Sequence, residues 1–275
     1  MKYIKIIIGL LVLIWVATMI MGSRLKPGSL FYPVRTAINE PLWVWVHITA
    51  PGRAAALEGV LDTRYTELEH AWFARDEKQI TAAKKSLLET SDTVMSAVQG
   101  YSTSGDYKVA DSLAAYAVGM ARIHGQVMET LVTHGAVAQT LADAVFAKDA
   151  ALAMQAVRVE EIKKFSVTSS KEDLVRGIDA HLNKTHDLQD LAQSELDDAS
   201  SLLQVAQKAA CSDVLAETRA GYEEAKNKLG IDQYMESFIQ ANTVQARITE
   251  VRIAIRATKA FGVPVIPVVE DILAR

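Results

Sequence analysis

Residues 171–229 read KEDLVRGIDAHLNKTHDLQDLAQSELDDASSLLQVAQKAACSDVLAETRAGYEEAKNKL. The run holds no proline, and only Gly177 and Gly221 interrupt it. Leu188, Leu191, Leu196, Ala199, Leu203, Ala206 and Ala210 recur at the three-to-four spacing that paints one face of a helix, where a strand would alternate every second residue. Ala, Leu, Glu, Gln and Lys supply most of the rest, and all are strong helix formers. The stretch predicts one long helix, or two joined by a tight corner, with Gly230 suited to the position just past a helix end.

The same pattern extends outward on both sides. Leu57, Val60, Leu61, Tyr65, Leu68 and Trp72 mark a helix that starts at a Thr49 cap with Pro51 in its first turn and stops near Asp76. Ile80, Ala83, Leu87, Val94 and Val98 mark the next, from Glu77 to about Val98. Gly100-Tyr101-Ser102-Thr103-Ser104-Gly105-Asp106 reads as a loop and as a domain boundary. Leu113, Ala117, Met120, Ile123, Val127 and Leu131 give a further helix, with His134-Gly135 able to end it. Residues 136–165 predict one or two more, and residues 166–170 a capping loop. A last helix runs from about Asp232 to Ala260, ended by Phe261-Gly262-Val263-Pro264. With only 6 Pro and 14 Gly in 275 residues, turns are few and elements long. The fold class expected is all-α: an N-terminal transmembrane helix followed by helical hairpins or a bundle of long amphipathic helices.

Residues 6–21 carry no charge and consist mostly of Ile, Leu, Val and Met. Extended to Ser23, the run spans about 27 Å as a helix, enough for a bilayer core. A cleaved signal would need small residues at its exit, and Ile20 and Met21 are bulky. We expect an uncleaved anchor that contacts the lipid bilayer through residues 6–23. Lysines before it and Arg24, Lys26 and Arg35 after it leave the positive-inside rule nearly balanced. The basic start of the chain favours a cytoplasmic N-terminus and an extracytoplasmic body. The apolar tail from Val263 to Leu273 cannot supply a second span, because Pro264, Pro267, Glu270 and Asp271 break it.

Charge narrows the partners. Lys2, Lys5, Arg24 and Lys26 are the only charges in residues 1–26, which leaves 25 basic against 33 acidic groups, a net of −8, for the rest. A body that acidic lacks the clustered Lys and Arg that nucleic acid requires, and it is repelled by anionic lipid. No nucleic-acid partner is expected. Leu42-Trp43-Val44-Trp45-Val46 reads as a core wedge in preference to a segment resting on the membrane surface.

Catalytic and metal constellations are missing from the pattern. His181 and His186 lie five apart and face different sides of a helix, so with Asp179 and Asp187 they read as a solvated face and not a metal cluster. Cys211, the only cysteine, reads as a small buried residue. The adjacent carboxylates Glu160-Glu161, Asp197-Asp198 and Glu223-Glu224 point apart and cannot act as a general acid and base. No catalytic residue, cofactor or metal is expected. Arg64-x-x-Glu67, Arg158-x-x-Glu161 and Arg247-x-x-Glu250 repeat an i,i+3 ion pair beside an apolar residue; misaligned surroundings favour ordinary helix design over a true repeat.

One segment carries a recognisable motif. Pro27-Gly28 turns the chain, Pro33 suits the start of a helix, and Pro41 kinks or restarts it. Pro27-Gly28-Ser29-Leu30-Phe31-Tyr32-Pro33-Val34-Arg35, the acid Glu40, the break at Ala50-Pro51 and the run Arg64-Tyr65-Thr66-Glu67-Leu68 together resemble the bacterial family described as domain of unknown function 5667. Tyr65 stands where that family usually has Leu, and Phe31 is an extra residue. The resemblance covers residues 27–100 and implies a helical extracytoplasmic domain beside a membrane anchor, with no activity attached. The structural motif to examine is therefore Pro27, Gly28, Tyr32, Pro33, Arg35, Arg64 and Glu67. The Tyr32 ring is expected to dock on the first hairpin with its hydroxyl partnered, and Arg35 to pair with Glu40 or a later acid. Tyr32→Ala should then cost about 3 kcal/mol. The organisation expected is an anchor over residues 1–26, a first helical domain over 27–100 and a second helical region over 101–275. The role expected is a non-enzymatic scaffold or protein-interaction module at the cell envelope, acting on an envelope partner or by self-association. The alternative is an extracytoplasmic sensor or ligand-binding bundle, marked by a polar interior between helices.

Overall fold

The computed structural model describes residues 26–133, 149 and 170–267, and every regular element among them is helical. In chain order these are α1 (Tyr32–Val34), a π-helical turn (Arg35–Asn39), α2 (Glu40–Val46), α3 (Ala50–Phe73), α4 (Glu77–Ser104), α5 (Tyr107–Thr133), α6 (Lys171–Ala199), α7 (Val205–Gly230) and α8 (Tyr234–Phe261). No helix among the described residues is long and apolar enough to cross a membrane. The apolar run over residues 6–23 lies outside them, as do Arg158-x-x-Glu161 and, apart from residue 149, residues 136–165. The chain divides into two compact units, Met1–Thr93 and Val94–Arg275, with the division inside α4.

In the first unit the chain enters through a turn. The Ser29 amide donates to the Lys26 carbonyl at 3.1 Å, and Gly28 takes φ +79°, which a side chain would strain. A Cβ on Gly28 would also sit 3.4 Å from Lys78 Cγ, so the turn lies against the start of α4. The helix that follows widens into the π turn, where the Glu40 amide donates to the Arg35 carbonyl. Pro41 explains the position of this break: its ring crowds the carbonyl four residues back, and the wider turn gives that carbonyl room. The turn aims Arg35 and Asn39 into the interior. α3 begins as its cap predicts, with Thr49 Oγ1 accepting from the Gly52 amide at 3.2 Å. Its face of Leu57, Leu61, Tyr65, Leu68 and Trp72 is buried, with Ile80, Ala83 and Leu87 of α4.

Two expectations fail here. The wedge Leu42–Val46 is not core: α2 has no buried residue, and Trp45 is 74% exposed. The charges beside it, Arg35 and Glu40, turn inward instead, and the apolar side chains are left facing out. The loop expected at residues 100–106 is largely helix, because α4 continues through Ser104 and turns only at Gly105, φ +88°. Serine and threonine tolerate a helix when their hydroxyls bond back to it, and Thr103 Oγ1 donates to the Gln99 carbonyl at 2.9 Å.

The second unit is built around α8, which packs against α5, α6 and α7. Leu196, Ala199, Cys211, Val214, Ile248, Val251 and Ile255 form one core cluster. Ile178, Leu182, Ala225, Phe238 and Ala241 form another. α5 and α8 approach closely at Gly119, where a Cβ would meet Ala246 Cβ at 3.2 Å. The run 171–229 is two helices, broken at residues 200–204. Gly230 remains helical, and the left-handed position falls instead on Asp232, φ +63°. Gly262, φ +68°, ends α8, after which Val263 and Val265 are buried.

Candidate functional site

In the first unit the motif residues converge on one ionic cluster. Tyr32 comes from α1, Arg35 from the π turn, Glu40 from α2, and Arg64 and Glu67 from α3. Arg35 Nε donates to Glu40 Oε1 at 2.9 Å, and Arg35 Nη1 to Glu67 Oε1 at 2.6 Å. Arg64 Nη1 donates to Glu67 Oε2 at 2.6 Å, and Arg64 Nη2 to Glu40. The four charges thus alternate around a closed ring: Arg35, Glu67, Arg64, Glu40. Tyr32 sits over it, donating from its hydroxyl to Glu67 Oε2 at 2.6 Å and accepting from Arg64 Nη1 at 3.1 Å. The Arg64 guanidinium carbon is 5.5 Å from the centre of the Tyr32 ring, within range of a cation–π contact.

The cluster is largely withdrawn from solvent, with the Arg64 side chain 1% exposed and those of Glu67 and Glu40 12% and 16%. Burying single charges is costly, and a ring of alternating sign is the arrangement that compensates it. Burial, with Glu67 beside it, pushes the Tyr32 hydroxyl up to about 12, against a smaller opposing pull from Arg64, so it stays protonated and donates. Pro27 is buried, Gly28 supplies the turn, and Pro33 lies in the first turn of α1 without joining the ring. Glu40 was legible only as a partner for Arg35. Its bond to Arg64, 24 residues on, needed the fold.

The second unit holds a related arrangement. Arg247 donates to Glu250 within α8, and Arg122 of α5 donates through Nε to the same carboxylate at 2.8 Å. Burial raises the Glu250 carboxyl, and the two guanidiniums work against that rise. The Arg-x-x-Glu spacing therefore marks a buried ion pair in both α3 and α8. Between α5, α6 and α8 lies a polar layer. Asn242 donates to Asp111, Ser112 Oγ lies 3.3 Å from Asn242 Oδ1, and Gln245 donates to Thr185 Oγ1 at 2.8 Å. His181 belongs to this layer, not to a solvated face. Its ring lies 5.2 Å from that of Phe238, and burial, with Lys184 nearby, lowers its pKa to about 4. His186 is exposed, 4.0 Å from Asp190. Cys211 is buried in the core, which pushes its thiol up to about 11. Among the described residues, no three His, Cys, Asp or Glu side chains group as a metal ion would require.

Compared with known proteins, the chain matches no family model, no curated protein and no solved structure.

Proposed function

We propose that this protein is a membrane-tethered, extracytoplasmic helical body that works without catalysis, through protein contacts at a bacterial cell envelope. The observation that carries this reading is the closed ring of Arg35, Glu67, Arg64 and Glu40. Each carboxylate is bonded to both guanidiniums, and Tyr32 is spent on Glu67. Such a cluster holds a shape; a general acid or base needs a group poised at a substrate. It fastens the segment that follows the proposed anchor to the first long helix, which suits a body presented from a membrane. The motif's likeness to domain of unknown function 5667 points the same way.

The test is photo-crosslinking in living cells, with the full chain carrying a photoreactive residue at exposed positions such as Leu191 or Ile231. The expected result is a discrete adduct with one protein species, or with a second copy. Scattered adducts, or none from any position, would contradict it. A second reading, a ligand-binding sensor, draws on the polar layer between α5, α6 and α8. Its side chains largely answer one another, which favours a role in fixing the helix register.

A further inference from the structure

The turn, π segment and α2 leave an unusual surface. Phe31, Ile38, Leu42, Trp43, Trp45 and Ile48 are all exposed. Ile38, Leu42 and Trp45, spaced by four and three, share one helix face. Scattered surface apolar residues are ordinary, but these six between Phe31 and Ile48, with Trp43 about 100° round the helix from Leu42, are a concentration that marks a contact site. Between Leu30 and Ile48 the sequence holds only two full charges, Arg35 and Glu40, and both are consumed in the buried ring. The outward surface of this segment is therefore apolar and uncharged.

We propose that this surface lies in the headgroup–acyl boundary of the bilayer, giving the first unit a second, peripheral hold on the membrane. The inference rests on the tether reading for residues 6–23. Ser23 and Leu30 are seven residues apart, so a spanning segment would keep the patch within about 25 Å of the membrane surface. Tryptophan favours that boundary, where its ring is buried and its N–H stays wet. Arg24 and Lys26, in the intervening stretch, suit anionic headgroups. The body's net charge of −8 outside residues 1–26 opposes contact elsewhere, so the neutral patch is the surface that can approach lipid at least cost. A protein partner could cover the same residues. Position beside the anchor and the absence of outward charge favour lipid.

The test is tryptophan quenching in the full chain, reconstituted into phosphatidylethanolamine–phosphatidylglycerol vesicles brominated near the headgroup end of the acyl chains. Trp15→Phe leaves three of the four tryptophans, of which Trp72 is buried. The expected result is quenching of two of the three, Trp43 and Trp45, lost on replacing both with Ser while the circular dichroism is unchanged. A companion chain, Trp43→Phe/Trp45→Phe, reports Trp15 against deeper bromines. Quenched Trp15 with unquenched Trp43 and Trp45 overturns the inference and leaves the tether standing. If those two are also shielded from aqueous iodide, a second copy of this chain covers them in place of lipid. No quenching of Trp15 overturns the tether and this inference together.

Discussion

Glu67 ties three elements at once, accepting from Tyr32, Arg35 and Arg64. Glu67→Gln leaves two buried guanidiniums short of a negative partner and should destabilise the first unit by about 3–5 kcal/mol. Tyr32→Phe removes one hydrogen bond to a charged acceptor and should cost about 1.5–3 kcal/mol. The two losses should not add, because they share that bond. Denaturant melts of the single and double variants check this, and strict additivity would break the ring apart as an account. In the second unit, His181 should make stability depend on pH. The unfolded chain takes up its proton near 6.5, and the folded chain only near 4. Between those values the unfolded state binds more protons, so stability falls as pH falls, by up to about 3 kcal/mol. Melts from pH 7 to 4 should show that slope, and His181→Gln should flatten it.

Long elements were legible because their apolar faces repeat over many turns. The faces of α3 and α5 were read correctly, at Leu61 and Leu113, and so was the stop of α8 at Gly262. Their ends were harder. Gly100 and the Ser-Thr run suggested a loop, yet α4 passes through them, with the Thr103 and Ser104 hydroxyls bonded back to the Gln99 and Tyr101 carbonyls. Gly230 looked like a helix stop, but the left-handed residue is Asp232. Aromatic composition made α2 look like core, when it is Arg35 of the π turn and Glu40 at the start of α2 that turn inward. The polar closure of α8 could not be read at all. Gln207 of α7 donates to Thr258 Oγ1 at 2.6 Å and to the Val265 carbonyl at 2.9 Å, pinning the tail beyond Gly262. Gln207→Ala leaves a buried carbonyl unanswered and should cost about 1–3 kcal/mol. It should also speed protease cleavage after residue 262; an unchanged cleavage rate would mean the tail is held by Val263 and Val265 alone.

At the scale of the whole molecule, the all-α fold class followed from composition and period. The compact units divide inside α4, between Thr93 and Val94. A continuous helix hides such a division, because its own periodicity is unbroken across it. The candidate cluster was half legible. Arg64 and Glu67 share a helix and their spacing shows the pair, and Tyr32 and Arg35 entered through the motif. Closing the ring through Glu40 took three-dimensional folding. The central claim is a helical body tethered by residues 6–23 and facing away from the cytoplasm. Protease added to intact spheroplasts expressing the full chain tests it most directly. The account predicts that the chain sediments with membranes and that its body is digested from outside. A body that resists until the membrane is opened, or a chain recovered in the soluble fraction, would contradict it.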